Sequence, residues 1–89
     1  MAESKFDDCP IQSFDVQVDS ADSAILLVRG LEAFELGAVG AIIWQQCDGK
    51  TSIDAIAKII TTEFDVDEEI ARTDVAQLVK ELRSAGLVE

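Results

Sequence analysis

Residues Leu31 to Ile56, LEAFELGAVGAIIWQQCDGKTSIDAI, decide how the rest of this 89-residue chain is read. From Glu32 to Leu36, Phe34 and Leu36 alternate with Ala33 and Glu35, the period of a strand with one apolar face. The period changes at Gly37. Val39, Ile42, Ile43 and Cys47 then share a helical face with Trp44 beside them, which predicts a helix from about Ala38 to Cys47. Asp48-Gly49-Lys50 ends it. Thr51 with Asp54 three residues later approximates a capping box, the short Asp replacing the usual Glu or Gln. Ile53, Ile56, Ala57, Ile60 and Phe64 continue as an amphipathic stripe, so a second helix follows.

Upstream, Met1 to about Ser13 shows little periodicity and is expected to be a flexible arm (residues 1–13), leaving a folded domain over residues 14–89. Phe14, Val16 and Val18 alternate with Asp15, Gln17 and Asp19, as in a strand with one wet face. Asp19 to Ser23 reads as a polar turn, Ala24 to Val28 as a more buried strand, and Arg29-Gly30 as a turn where glycine permits positive φ. Downstream, Asp67 can cap a third helix with Glu68 and Glu69 in its first turn, Lys80 and Arg83 near its end, and Gly86 as its stop. Its apolar residues Ile70, Ala71, Val75, Leu78, Val79, Leu82 and Ala85 cover an arc of roughly 180°, wider than the ~100° stripe that seats a helix on a core. Either the helix is unusually buried, or one flank of the stripe meets something other than this domain. The expected fold is α+β, a three-stranded antiparallel sheet followed by three helices, close to a winged helix-turn-helix.

Seven basic residues stand against eighteen acidic ones, a net charge of −11. A chain of that sign repels nucleic acid and anionic membranes and favours basic peptides or proteins. The outer face of the third helix sets Glu68, Glu69, Asp74, Gln77 and Glu81 against Arg72, Lys80 and Arg83, and cannot neutralise phosphates as a recognition helix must. The start of the chain lacks the apolar run of a secretory signal, and no run approaches the roughly 20 apolar residues that span a bilayer; a cytoplasmic location is the expectation.

No residue set points to catalysis, a metal or a cofactor. The chain has no histidine, the commonest general base and metal ligand, and its two cysteines form no C-x-x-C pair. Asp65, Asp67 and Glu69 alternate like calcium ligands, but Ile70 and Ala76 stand where such a loop requires Gly and Glu. Gly37 and Gly40 lack the basic surroundings of a nucleotide clamp. Asp22-Ser23 echoes the attachment site of small acidic acyl carriers, in a pattern that reads as strand rather than helix start.

The order Leu36-Gly37, Gly40, Ile43-Trp44, Cys47-Asp48-Gly49, Thr51 or Ser52, and Ile56, with a closing Leu82, Gly86 and Leu87, resembles the PqqD-like family, the RiPP recognition elements. The likeness runs from about Phe14 to Leu87. It departs at Gly37, where the family commonly has Asn, and at Cys47, where it has Leu; both are tolerable for the fold. The resemblance implies a stand-alone, non-catalytic peptide chaperone without a cofactor. Such a chaperone binds the leader of a ribosomally made precursor peptide and presents it to a modifying enzyme: a radical SAM enzyme, a cyclase or a leader peptidase. Its pathway would make a quinone cofactor, a lasso peptide or another modified peptide. The leader is expected to add as a fourth strand along Leu31, Glu32, Ala33, Phe34, Glu35 and Leu36, with Val75, Leu78, Val79 and Leu82 of the third helix as candidate groove-lining side chains. The alternative is an acidic winged-helix adaptor or regulator unrelated to peptide modification.

Overall fold

The computed structural model describes residues 8–21 and 24–89. Strands β1 (Gln17–Ala21), β2 (Ala24–Arg29) and β3 (Glu32–Leu36) precede helices α1 (Ala38–Gln45), α2 (Ile53–Phe64) and α3 (Glu68–Ser84). The sheet is antiparallel in the order β1-β2-β3. Three strands and three helices stand in the expected order. Gly30 has φ +62° and the following Leu31 a negative φ, the pattern of a type II′ turn, whose twist suits a two-residue hairpin.

The apolar alternation of β2 places Ile25 and Leu27 in the core, where Leu36, Trp44, Cys47, Leu82, Leu87 and Val88 meet them. A second cluster joins Ile43 of α1 to Ile53, Ile56, Ala57 and Ile60 of α2 and to Ala71, Val75 and Val79 of α3. Leu78 packs against both clusters. The Asp67 carboxylate accepts from the amides of Glu69 and Ile70 and starts α3, and Gly86 at φ +78° follows its end.

Several boundaries differ from expectation. Phe14 lies in a turn, 94% exposed, and β1 begins only at Gln17. Asp19–Ala21 extend β1 instead of forming a turn, because they pair with Leu26, Ile25 and Ala24; Asp22 and Ser23, with the carrier-like motif, lie outside the described residues. α1 stops at Gln45, and Cys47 follows it, donating its thiol to the Ile43 carbonyl at 3.2 Å. Ser52, not Thr51, caps α2 by accepting from the Ala55 amide at 3.1 Å. Thr51 is held by Asp48, whose carboxylate accepts from the Lys50 and Thr51 amides and the Thr51 hydroxyl.

The expectation of a loose arm is corrected for residues 8–13. Pro10 is buried, and isolated bridges join Ile11 to Asp48 and Gln12 to Val88. The Gln12 amide donates to Cys47, the Ser13 amide to Leu87, and the Glu89 amide to Ile11. The Gln12 side chain donates to the Trp44 carbonyl, and Asp8 pairs with Arg83 at 2.7 Å. These backbone groups find partners in the α1–α2 break and the C-terminal residues, so the segment is a clasp. Residues 1–7 lie outside the described residues.

Candidate peptide-binding groove

β3 pairs with β2 alone, so among the described residues its other edge is unpaired. The register tells which groups face that edge. Arg29 and Glu32 close a two-residue hairpin, and the closing pair of such a hairpin is hydrogen-bonded. Bonded and non-bonded pairs alternate, so Phe34 and Leu36 bond to β2, while Ala33 and Glu35 turn their N–H and C=O groups outward. Phe34 and Leu36 point their side chains toward α3 and the core.

A groove runs beside this edge. Near α1 it has a volume of about 480 Å³ between Phe34, Leu36 and Val39 on one wall and Asp74, Leu78 and Glu81 on the other. A smaller recess of about 260 Å³, with Ala33, Phe34, Ala85 and Leu87 on its walls, continues it toward the hairpin. The middle of α3 therefore faces Leu36 and the residues just past its end face Ala33, so helix and strand run in opposite directions. Phe34 borders both sections and is half-buried, an aromatic surface available to a guest. Gly40 permits close approach here: a Cβ would lie 3.1 Å from that of Leu36.

The ten candidate residues divide into three groups. Ala33, Phe34, Glu35, Leu36 and Leu78 border the groove, and Glu32 joins them at the recess. Leu31 sits at the hairpin tip, 105% exposed and outside β3. Val75, Val79 and Leu82 are 0%, 1% and 0% exposed. Their assignment as groove-lining side chains is corrected: they face α2 and the sheet core and support the wall from behind. The surplus width of the stripe thus resolves mostly into burial, with Leu78 as the residue that reaches both sides. Asp74, Gln77 and Glu81 complete the α3 wall; their spacing around Leu78 places them on one helical face, which in sequence reads only as an acidic surface.

Burial pushes the Cys47 thiol up to about 11, with the charge of Asp48 adding to the effect, so it is no nucleophile at neutral pH. Asp48 is held below the usual carboxylate range, first by the Lys50 amide and then by Thr51, which fits a turn-forming role. Among the described residues no group of three or more His, Cys, Asp or Glu could hold a metal ion, and no helix is long and apolar enough to cross a membrane.

A family model described as coenzyme PQQ synthesis protein D (PqqD) matches residues 22–88. The chain belongs to the PqqD family. A relative from Xanthomonas campestris pv. campestris (strain B100), named PqqA binding protein, is 31% identical over 84 residues, covering 92% of this chain and 91% of the relative. Among solved structures, TbiB1 in complex with the TbiA(beta) leader peptide superposes with a TM-score of 0.79 at 25% identity, covering 89% of this PqqD-family chain and 94% of that one. Lasso peptide synthetase B1 complexed with the leader peptide gives the same TM-score and identity, over 91% and 98% of the two chains. The PqqD truncation of Methylobacterium extorquens PqqCD, a RiPP recognition element solved in solution, shares the fold at 0.77 and 22% identity, over 99% and 95%.

Proposed function

We propose that this PqqD-family protein is a non-catalytic peptide chaperone that binds the leader of a ribosomally synthesised precursor by strand addition to β3 and presents it to a modifying enzyme. One observation carries the reading: the outward backbone groups of Ala33 and Glu35 lie beside a groove walled by Phe34 and Leu78. Two similar proteins, TbiB1 and lasso peptide synthetase B1, have structures in complex with leader peptides, which supports the assignment. The enzyme served is a radical SAM enzyme, a cyclase or a leader peptidase. A cytoplasmic location belongs to the same proposal, because a ribosomal product must be captured before it is modified. The acidic-adaptor alternative has no observation of its own behind it.

Energetics fix the division of labour. The two outward residues offer up to four backbone hydrogen bonds, each worth roughly 1 kcal/mol net. Association costs at least about 4 kcal/mol in lost freedom, so pairing alone roughly breaks even. Micromolar affinity requires about 8 kcal/mol, and two or three apolar leader side chains buried at ~1.5–3 kcal/mol each supply the difference. Backbone pairing therefore sets register while side chains in the groove set affinity.

Amide hydrogen exchange with and without a synthetic precursor leader tests the idea. Binding should slow exchange at Ala33 and Glu35 and leave Val18 and Ser20 on β1 unchanged. Tight binding with unaltered exchange at Ala33 and Glu35 means that the peptide does not add to β3.

A further inference from the structure

Resting on the reading of the groove as a leader site, we infer that Asp74 and Glu81 make it selective for an extended peptide that carries Lys or Arg on either side of an apolar anchor seated between Phe34 and Leu78. The section of groove near α1 is bordered by these two acids, by Glu35 of β3, which alternation turns to the face opposite Phe34, and by no basic side chain. Asp74 lies one helical turn before Leu78 and Glu81 one turn after it, so all three project along the same wall. Among the described residues neither carboxylate belongs to an ion pair. Their charges face the guest without internal compensation.

The spacing suits a strand. Asp74 and Glu81 are separated by roughly 10 Å along the helix at 1.5 Å per residue. Groove-facing side chains of a paired strand recur about every 6.6–6.8 Å, so an apolar residue at Leu78 brings the side chains two positions before and after it within reach of the two carboxylates. A long, flexible Lys or Arg covers the remaining mismatch. A guest with Asp or Glu at those positions meets like charge instead, which discriminates by repulsion as well as by attraction.

Neither acid helps the helix that holds it. Aspartate is a poor helix former in mid-helix, and Glu81 stands in the last turn of α3, where the dipole disfavours negative charge. Removing both charges should leave the fold as stable as before or slightly more so. A purely structural role predicts the opposite.

The test is selection from a displayed random 12-residue peptide library on the whole protein. Three baits are compared: the wild type, the Asp74→Asn/Glu81→Gln double variant, and an Asp19→Asn/Glu63→Gln double variant that loses the same charge at distant exposed sites. A fourth bait, Ala33→Pro, which removes an outward N–H without removing a charge, marks peptides that depend on the β3 edge. Edge-dependent peptides from the wild type should carry Lys or Arg two positions from an apolar residue. At low salt, Lys-for-Glu exchange there should strengthen binding about tenfold, the sum of two exposed charge contacts. That preference should vanish on Asp74→Asn/Glu81→Gln, persist on Asp19→Asn/Glu63→Gln, and weaken with salt. Edge-dependent peptides with an apolar pattern but no basic preference, or a preference equally lost in both double variants, overturn this inference and leave the groove reading standing. Peptides that bind the Ala33→Pro bait as well as the wild type overturn both.

Discussion

Both outer strands leave backbone groups unpaired among the described residues. Because β2 turns the groups of Ile25 and Leu27 toward β3, those of Leu26 and Val28 face β1, and Val18 and Ser20 on β1 point outward as Ala33 and Glu35 do on β3. The surroundings differ. Gln17, Val18, Asp19 and Ser20 are all exposed, and among the described residues no helix packs closely against β1. β3 looks across a groove to Leu78. A guest strand on β1 would gain hydrogen bonds that barely offset association, whereas on β3 it also buries side chains. A bare edge is common and hazardous; an edge beside a greasy recess has more to offer a guest strand.

The strongest way to break the comparison is to destroy the wall behind the groove. Val79→Asp buries a carboxylate at a position 1% exposed, at a cost of several kcal/mol, comparable with the whole stability of a domain this size. Circular dichroism should show an unfolded or strongly destabilised chain, and a folded variant would show that α3 is not packed as described. Phe34→Ala keeps the fold but removes the guest's aromatic contact, with an expected loss of leader affinity on the order of tenfold or more by calorimetry.

Proline separates the edges directly. Ala33→Pro and Glu35→Pro remove N–H groups that face outward, so each should weaken leader binding about fivefold or more without breaking the β2–β3 ladder. Val18→Pro and Ser20→Pro make the same change on β1 and should leave affinity unaltered. Equal losses from both strands would sink the assignment of the site to β3.

The smallest effects concern the turn beneath. Asp48 has a depressed folded-state pKa, so its contribution is present above the ordinary carboxylate value of 3.8 and is lost as pH falls through the folded value. Asp48→Asn should lower the thermal midpoint at pH 7 and flatten the acid side of the stability curve. Iodoacetamide at pH 8 should modify exposed Cys9 and spare buried Cys47, as mass spectrometry of the native protein would show.

Local chemistry was legible where a residue acts on its own neighbours. Gly30, Gly49 and Gly86 all carry positive φ, and Asp67 caps α3 as its position suggests. Periodicity also showed that α3 is more apolar than one contact requires. It did not show which neighbour takes each residue, because Val75, Val79 and Leu82 differ from Leu78 only in what the folded chain brings against them. Phe14 misled for the reverse reason: it continues an alternation whose ladder has already ended. The groove-side acids Asp74 and Glu81 carried no signal beyond charge, since their meaning depends on the distant Phe34. Ser52 and Thr51 are both able caps, and the Asp48 turn consumes one of them.

Asp8 and Arg83 meet across 75 positions of chain, and Val88 bridges Gln12. Closing so long a loop costs entropy that no local turn or hairpin has to meet. The meander and the helices join neighbours in sequence, whereas the latch needs residues 8–13 and 83–89 brought together. Leu87 and Val88 share a buried cluster with Trp44 and Cys47, so the latch also covers part of the core. The latch is thus the longest-range step in assembling this fold.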